Sequence, residues 1–441
     1  MLKRSERDDE KSMNKKKTAF LLSMVLWGSG QFFICKQRLK GVLLFAFQLL
    51  PIIIELFTGY WLEYAQGLIT DFSIRLHGGF FTKGIWGLIT LGEKAGGRYG
   101  DHSTILLING IMAVIILLLL LVVYIWNLWD AWNSAKYTGK VFPYLILVPI
   151  GIAFFFVVIM PIVFTFLTAF LNYNRDHLPP GQLLDWVGIN NFKKLFTVSN
   201  WFETFSKVLI WTVIWTLAST FGTYFLGLFQ AVILNHKAAR GTKIYRTILI
   251  LPWAIPQMVS LLVFRNLLNG QFSPINQFLL EHGLIRENIP FLSDPLTAKV
   301  TVIVVSIWLG FPMFMVMMSG ILANMDQSLY EAASLDGANR FQCFFKITLP
   351  LVFKATMPNL IMTMAANFNG FGLIYFLTQG GPANANMQFA GDTDILISWI
   401  YKLTLDQKMF DIAAVMSVLL FFIVGVVSLW NFRRTVSFKE L

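Results

Sequence analysis

Long apolar runs separated by short polar segments set the pattern of this chain, with no residue-by-residue alternation within the runs. About 20 consecutive apolar residues carry a helix across a hydrocarbon core ~30 Å thick. Eight stretches reach that length, at about 41–61, 104–127, 143–171, 205–234, 244–268, 296–323, 353–378 and 407–431. A further run, 19–35, is interrupted by Gly28, Ser29, Gly30 and Gln31 and followed at once by Lys36, Arg38 and Lys40. If it crossed, that basic cluster would lie outside, against the positive-inside preference, and every later loop would be inverted. An interfacial or re-entrant helix is therefore expected there. The predicted fold is an all-α polytopic membrane protein of about eight transmembrane helices, with both ends cytoplasmic.

The loops agree with this orientation. The turn 235–246 carries Lys237, Arg240, Lys243 and Arg246 and no acid, Lys136 and Lys140 mark an earlier cytoplasmic turn, and Arg433 and Arg434 flank the last span. Outside segments (62–103, 173–204, 269–295 and 379–406) mix both signs of charge with Gly, Pro and Asn turn formers, and are candidate docking surfaces. The expected organisation has three parts. Residues 1–140 form a cytoplasmic tail, the interfacial or re-entrant helix and two extra spans; 141–435 form a six-span core; 436–441 form a short cytoplasmic tail.

Composition supports the bilayer as solvent. Of 441 residues, 56% are hydrophobic and 13% charged, against about 25% charged in soluble domains. The net charge of +11 sits mostly between apolar runs, which excludes a nucleic-acid face. Cys35 and Cys343 fall in or beside predicted cytoplasmic segments, so no disulfide is expected. The charged start, with Lys15 to Lys17 ahead of the first apolar run, lacks a small-residue cleavage site and does not read as a signal peptide.

Between the sixth and seventh spans lies a polar island, 323–352. Its fixed points are Glu331, Ala332 and Ala333, then Gly337, then Ile347, Leu349 and Pro350. Seven such residue types coincide by chance about once in 10⁸ start positions. Ala332 and Ala333 favour helix, Gly337 permits a turn that a β-carbon would strain, and a second helix through 341–346 would complete a compact knob. Pro350, which has no amide donor, suits the first turn of the next span. Small alanines allow close docking, and Glu331 offers a carboxylate to a basic partner. Without that spacing, a solvated amphipathic connector would explain the segment equally well.

Polar residues inside spans face protein or a cavity. Thr363, Asn367 and Gly370 stand at i, i+4 and i+7 on one helix face, while Asn369 is offset from Asn367 by about 200° unless the helix unwinds. Their amides suit sugar hydroxyls or, equally, bonds between helices. In the sixth span, Trp308, Leu309, Gly310, Phe311, Pro312 and Met313 combine rings suited to a pyranose face with a Gly–Pro weak point. Either ring also serves as packing or as an interface anchor. Leu251, Pro252, Trp253 and Pro256 predict a kinked, gating fifth span. Glu55 is the lone acid of its apolar stretch and reads as functional or as reaching the headgroups. No phosphate-binding G-x-x-x-x-G-K-[ST] loop, H-E-x-x-H, C-x-x-C or G-x-S-x-G appears, so catalysis by this chain is not expected, nor a metal site from five scattered histidines.

The polar island resembles the EAA loop of bacterial ABC-importer permeases. With Val187-Gly-Ile-Asn-Asn-Phe192, Leu251-Pro252 and Thr378-Gln-Gly-Gly-Pro382, residues from about 140 to 435 resemble the larger permease subunit of maltose/maltodextrin importers. That resemblance implies a heterodimer with a second permease, two ATP-binding subunits that hold ATP and Mg, no cofactor on this chain, and an extracytoplasmic sugar-binding protein. It implies location in a bacterial cell membrane. It also implies a sugar pocket including Leu309, Gly310, Met313, Thr363, Asn367, Asn369 and Gly370, with ATPase coupling through Glu331, Ala332, Ala333, Gly337, Ile347, Leu349 and Pro350. Ile307, Met313 and Gly370 stand where maltose-handling members tend to carry amides or tyrosine. Maltodextrin therefore competes with galacto-oligosaccharide or raffinose-type ligands. A secondary transporter would call for intramembrane acids or inverted repeats, of which this chain offers only Glu55.

Overall fold

The computed structural model describes residues 2–70, 74–91, 103–133, 150–151, 153–178, 183–236 and 240–432. Lys136, Lys140, Lys237, Arg433 and Arg434, the expected boundary near 140 and the tail 436–441 lie outside the described residues. Among the described residues, five helices are long and apolar enough to cross a membrane, six if a pair bent by 91° counts as one span. The remaining two predicted spans are represented by shorter apolar helices, Phe155–Thr168 and Phe410–Val426. The chain divides into two compact units, Met1–Gly188 and Ile189–Leu441.

In the first unit the main helices are α1 (Leu2–Val25), α2 (Arg38–Thr58), α3 (Phe80–Ile89), α4 (Ser103–Asn133) and α5 (Met160–Thr168). The run 19–35 follows α4 only briefly. Phe20 meets Trp132 edge-on at 5.9 Å, and Trp27 stacks on Tyr124 at 5.3 Å. The chain then turns back. Gly28 N–H donates to Asn127 Oδ1 (3.0 Å), Gln31 Nε2 donates to Asp130 Oδ2 (3.2 Å), and Lys40 Nζ lies 2.5 Å from the same carboxylate. From Trp132 to Tyr124 is about 12 Å of helix rise. The reversal at residues 28–31 is held by Ser23, Gln31, Asn127 and Asp130, which satisfy one another in a buried polar cluster.

Glu55 has a local structural use. Its carboxylate accepts from the backbone N–H groups of Gly79, Phe81 and Thr82 and from Thr82 Oγ1, so it caps the start of α3 from a neighbouring helix. A β-carbon on Gly79 would fall 2.3 Å from the Glu55 carbonyl oxygen, so glycine is required for the approach.

The second unit contains α6 (Asn190–Thr197), α7 (Ser199–Asn235), α8 (Thr242–Ala254), α9 (Gln257–Leu267) and α10 (Pro295–Ala323). It continues with α11 (Ser328–Leu335), α12 (Arg340–Cys343), α13 (Leu349–Phe368), α14 (Phe371–Thr378), α15 (Leu396–Leu405) and α16 (Phe410–Phe432). Its centre is the crossing of α7 and α10. Added β-carbons would lie 2.6 Å from Phe314 Cβ at Gly227 and 2.9 Å from Thr223 Cγ2 at Gly310, so small residues let the backbones close. Hydroxyls on α7 cause little strain: Thr204, Thr212 and Thr216 each donate to the carbonyl four residues back. Trp215, Tyr224 and Phe314 fill the space around the crossing, and the Tyr224 hydroxyl pairs with Thr356 Oγ1 at 3.0 Å.

The expected weak point at Gly310 and Pro312 does not form; α10 runs unbroken through both. Gly310 serves close packing instead. The break falls in the fifth span, between α8 and α9. Pro256, without an N–H and with fixed φ, starts a new helix at 91° to the first. The seventh predicted span also divides, ending at Phe368 and restarting at Phe371.

Candidate functional site

A cavity of about 510 Å³ opens among α7, the α8–α9 break, α10, α13 and α14. Of the seven pocket residues expected from sequence, Leu309, Gly310, Met313, Thr363 and Asn367 line it. Thr363 and Asn367 share a face as their i, i+4 spacing requires. Asn369 and Gly370 do not line it, because α13 ends one residue before them. Asn369 is exposed and its Nδ2 donates to the Ala365 carbonyl at 3.3 Å. Gly370 begins the turn into α14.

Asn367 combines a place in the cavity wall with a bond between helices. It lines the cavity, while its Nδ2 donates to Thr220 Oγ1 at 2.9 Å. Its carbonyl, near the helix end, accepts from Trp215 Nε1 at 3.0 Å. Trp215 is 1% exposed, so this end of α13 is anchored to the core. The rings proposed in the sixth span are elsewhere. Trp308 is exposed away from the cavity lining, and Phe311 is buried beside Leu234 and Met315. The aromatic wall is instead Trp253, one turn before the break, with Phe314 opposite in the lining.

Sequence reasoning did not single out Thr223, Ser306, Gln257 or Leu373, which complete the wall. A small hydroxyl at a helix crossing carries no pattern that separates cavity from packing. The Pro252–Pro256 spacing was the available signal for Gln257. None of the lining side chains is ionisable. Hydroxyls and amides alternate with Trp253, Leu309, Met313 and Phe314, which suits a neutral ligand with both hydrogen-bonding groups and apolar faces. Among the described residues no cluster of His, Cys, Asp and Glu is arranged to hold a metal.

The polar island folds as a knob. α11 carries Glu331, Ala332 and Ala333; Gly337 then takes φ +77°, where a side chain would be strained although nothing crowds the position. Asn339 and Gln342 exchange side-chain to backbone bonds of 2.8 Å and start α12. Phe344–Thr348 form a π-helical turn, in which Leu349 N–H donates to the Phe344 carbonyl. Ile347 belongs to this turn, and Pro350, unable to donate, follows it in the first turn of α13. Tyr330 OH meets Thr348 Oγ1 at 2.8 Å and ties α11 back to that turn. Glu331 and Ala332 are exposed, and Leu335 and Phe341 stand 90% and 77% exposed at the tip.

The family described as the binding-protein-dependent transport system inner membrane component matches residues 223–436. The chain is 39% identical to the galactooligosaccharides transport system permease protein GanP of Bacillus subtilis, over 97% of this chain and 100% of that protein. It is 37% identical to the maltodextrin transport system permease protein MdxF of the same organism, over 81% of this chain and 87% of that one. The maltose/maltodextrin transport system permease protein MalF of Escherichia coli is also 37% identical, over 61% of this chain and 52% of its own length. A chain of a bacterial alginate ABC transporter, solved with an alginate pentasaccharide-bound periplasmic protein, is similar in fold. Its TM-score is 0.53 at 21% identity, over 66% of this chain and 93% of that one. With its cavity between helices and its knob between spans, the chain belongs to the binding-protein-dependent permeases: it is a multi-pass membrane subunit of an ABC importer, which works with a binding protein and separate ATPase subunits.

Proposed function

We propose that this chain carries a neutral oligosaccharide through the cavity between α7, α10 and α13, driven by ATP hydrolysis on partner subunits. The observation that carries this reading is the cavity wall, which combines Thr223, Gln257, Ser306, Thr363 and Asn367 with Trp253 and no ionisable group. Sugar hydroxyls match the amides and hydroxyls, and a pyranose face matches the ring. In this reading Leu309, Gly310 and Met313 shape the apolar floor, and Asn367 is the principal amide. Asn369 and Gly370 act indirectly, by ending the helix that holds Asn367.

The assembly we infer has a second permease chain, two ATP-binding subunits holding ATP and Mg, and an extracytoplasmic sugar-binding protein, with both ends of this chain cytoplasmic. No cofactor is assigned to this chain. Glu331, Ala332, Ala333 and the exposed Leu335 and Phe341 form the face that docks in the ATPase. Gly337, Ile347, Leu349 and Pro350 shape the knob and join it to α13, whose far end carries Thr363 and Asn367. ATPase movement at the knob thus reaches the cavity along one helix, and nucleotide shifts the cavity between two states by binding them unequally.

For substrate, maltodextrin and galacto-oligosaccharide are both supported by relatives that match most of the chain. Apolar Met313 reduces the hydrogen bonds available to a short sugar, which favours longer chains gripped by several rings. Uptake of a radiolabelled panel (maltose, maltotriose, raffinose and a galactotriose) by the reconstituted complex tests this. Saturable ATP-dependent uptake of a trisaccharide supports it; uptake confined to amino acids or ions refutes it.

A further inference from the structure

A second polar depression lies far from the transport cavity. It has a volume of about 320 Å³ and is walled by Asn200, Glu203 and Lys207 of α7 and by Asn386, Met387 and Gln388 of the segment before α15. Glu203 and Thr223 are about 30 Å apart along α7, so this pocket does not belong to the cavity. In the proposed orientation it opens on the extracytoplasmic side.

Its walls are held in place. Gln388 N–H donates to Thr204 Oγ1 at 2.9 Å, and the Gln388 carbonyl accepts from Trp399 Nε1 at 2.7 Å. Glu203 and Lys207 pair at 2.7 Å one helical turn apart, so the wall carries no net charge. The remaining polar groups are amides, which both donate and accept. Beside Gln388, Phe389 holds φ +56°, a conformation uncommon and costly for an aromatic residue and one that concentrates at ligand sites. Its ring, 44% exposed, is the open end of an aromatic row through Trp201 to Trp399, with spacings of 6.3 and 6.1 Å.

We infer that this pocket is a second, external carbohydrate site, which takes one ring of a neutral oligosaccharide before it reaches the transport cavity. The inference rests on the proposed sugar transport and extends it outward. A wall without net charge disfavours an ionic ligand, the volume lies at the small end of ligand pockets, and the amides match sugar hydroxyls, with the exposed Phe389 ring outside the lining but next in the chain to Gln388. A docked loop of the binding protein is the competing occupant.

The test uses the complete transporter in lipid nanodiscs without binding protein, with maltotriose and raffinose as probes. Saturation-transfer NMR reads direct sugar binding, and affinity for the loaded binding protein is measured in parallel. The paired exposed-site variants Asn200→Leu and Asn386→Leu are compared with Asn367→Leu in the cavity, and basal ATP hydrolysis reports intact assembly. The expected result is a trisaccharide signal that falls by more than half in Asn386→Leu, with the remainder lost in Asn367→Leu. Loss of one amide contact corresponds to about fivefold weaker binding. A signal insensitive to both Asn200→Leu and Asn386→Leu overturns the external site. A drop in binding-protein affinity with sugar signal unchanged also overturns it, in favour of a docking contact. Sugar bound through Asn386 but never transported would leave the site standing and remove the transport reading alone.

Discussion

Two segments between helices in the second unit use their residues in opposite ways. The segment from Gln379 to Ile395 leads into α15, and its polar groups are satisfied by one another and by α7 and α15. Asp394 accepts from Ser398 Oγ, Gly391 N–H and Lys402 Nζ at 2.5–2.7 Å, and Thr393 Oγ1 meets Thr378 Oγ1 at 2.7 Å. Trp211 Nε1 donates to the Thr393 carbonyl. Burial pushes the Asp394 carboxyl above the usual carboxylate range, while the Lys402 ammonium pulls it back. The knob between α10 and α13 is the reverse. Its local bonds fix only its own shape, Leu335 and Phe341 point outward, and Glu331 has no ion pair among the described residues. A segment that keeps its shape while leaving apolar side chains in water is completed by a partner. The closed segment before α15 presents instead a firm, mainly polar surface, suited to encounters that must be reversible.

That contrast is breakable, and the largest effect is expected at the knob. Leu335→Asp or Glu331→Lys should reduce ATP-dependent uptake by about 30-fold or more, as loss of a central interface residue does, with membrane insertion unchanged. Normal uptake by either variant would remove the docking role. Next comes Asp394→Ala in the segment before α15. It strands Lys402 and should cost about 2–3 kcal/mol of stability, read as a lower unfolding temperature of the detergent-solubilised complex. An unchanged midpoint would mean that the buried network is not what holds the segment.

A smaller effect is expected in the cavity, where Asn367→Leu should raise the half-saturating sugar concentration by about 5–20-fold through lost amide contacts. Thr220→Val sharpens this, because it removes only the interhelical bond. Equal shifts in both variants would reduce Asn367 to a tether between α7 and α13. The smallest effect is expected at Asn369→Leu, within about twofold of wild type, since its side chain bonds the Ala365 carbonyl outside the lining. A shift there as large as at Asn367 would put the cavity boundary in the wrong place.

The legible part of the fold was one-dimensional. Continuous apolar runs announced the spans, and the polar interruption at 28–31 marked where the chain reverses beside α4. The knob was legible because its information is local: Gly337 at a left-handed turn, alanines on one helix, a proline after the bend. Thr363 and Asn367 were legible from helix periodicity. What escaped depends on which helices cross. Gly310 has the composition of a weak point but serves as a contact, because Thr223 of α7 faces it. Trp308 and Phe311 have suitable rings, yet α10 turns one to the exterior and the other into the core, and the rings at the cavity are Trp253 of the broken fifth span and Phe314. Asn369 was misplaced because the helix ends one residue earlier, just beyond the point where Trp215 and Thr220 of α7 bond Asn367. Glu55 drew attention as a lone acid, and only the fold brings the start of α3 within its reach.

The most direct measurement compares sugar accumulation in proteoliposomes holding this chain, its permease partner and the binding protein, with and without the ATPase subunits. Accumulation against a gradient only when the ATPase is present and the knob is intact is the predicted result. Equal accumulation without the ATPase, or with Leu335→Asp at the knob, would contradict it.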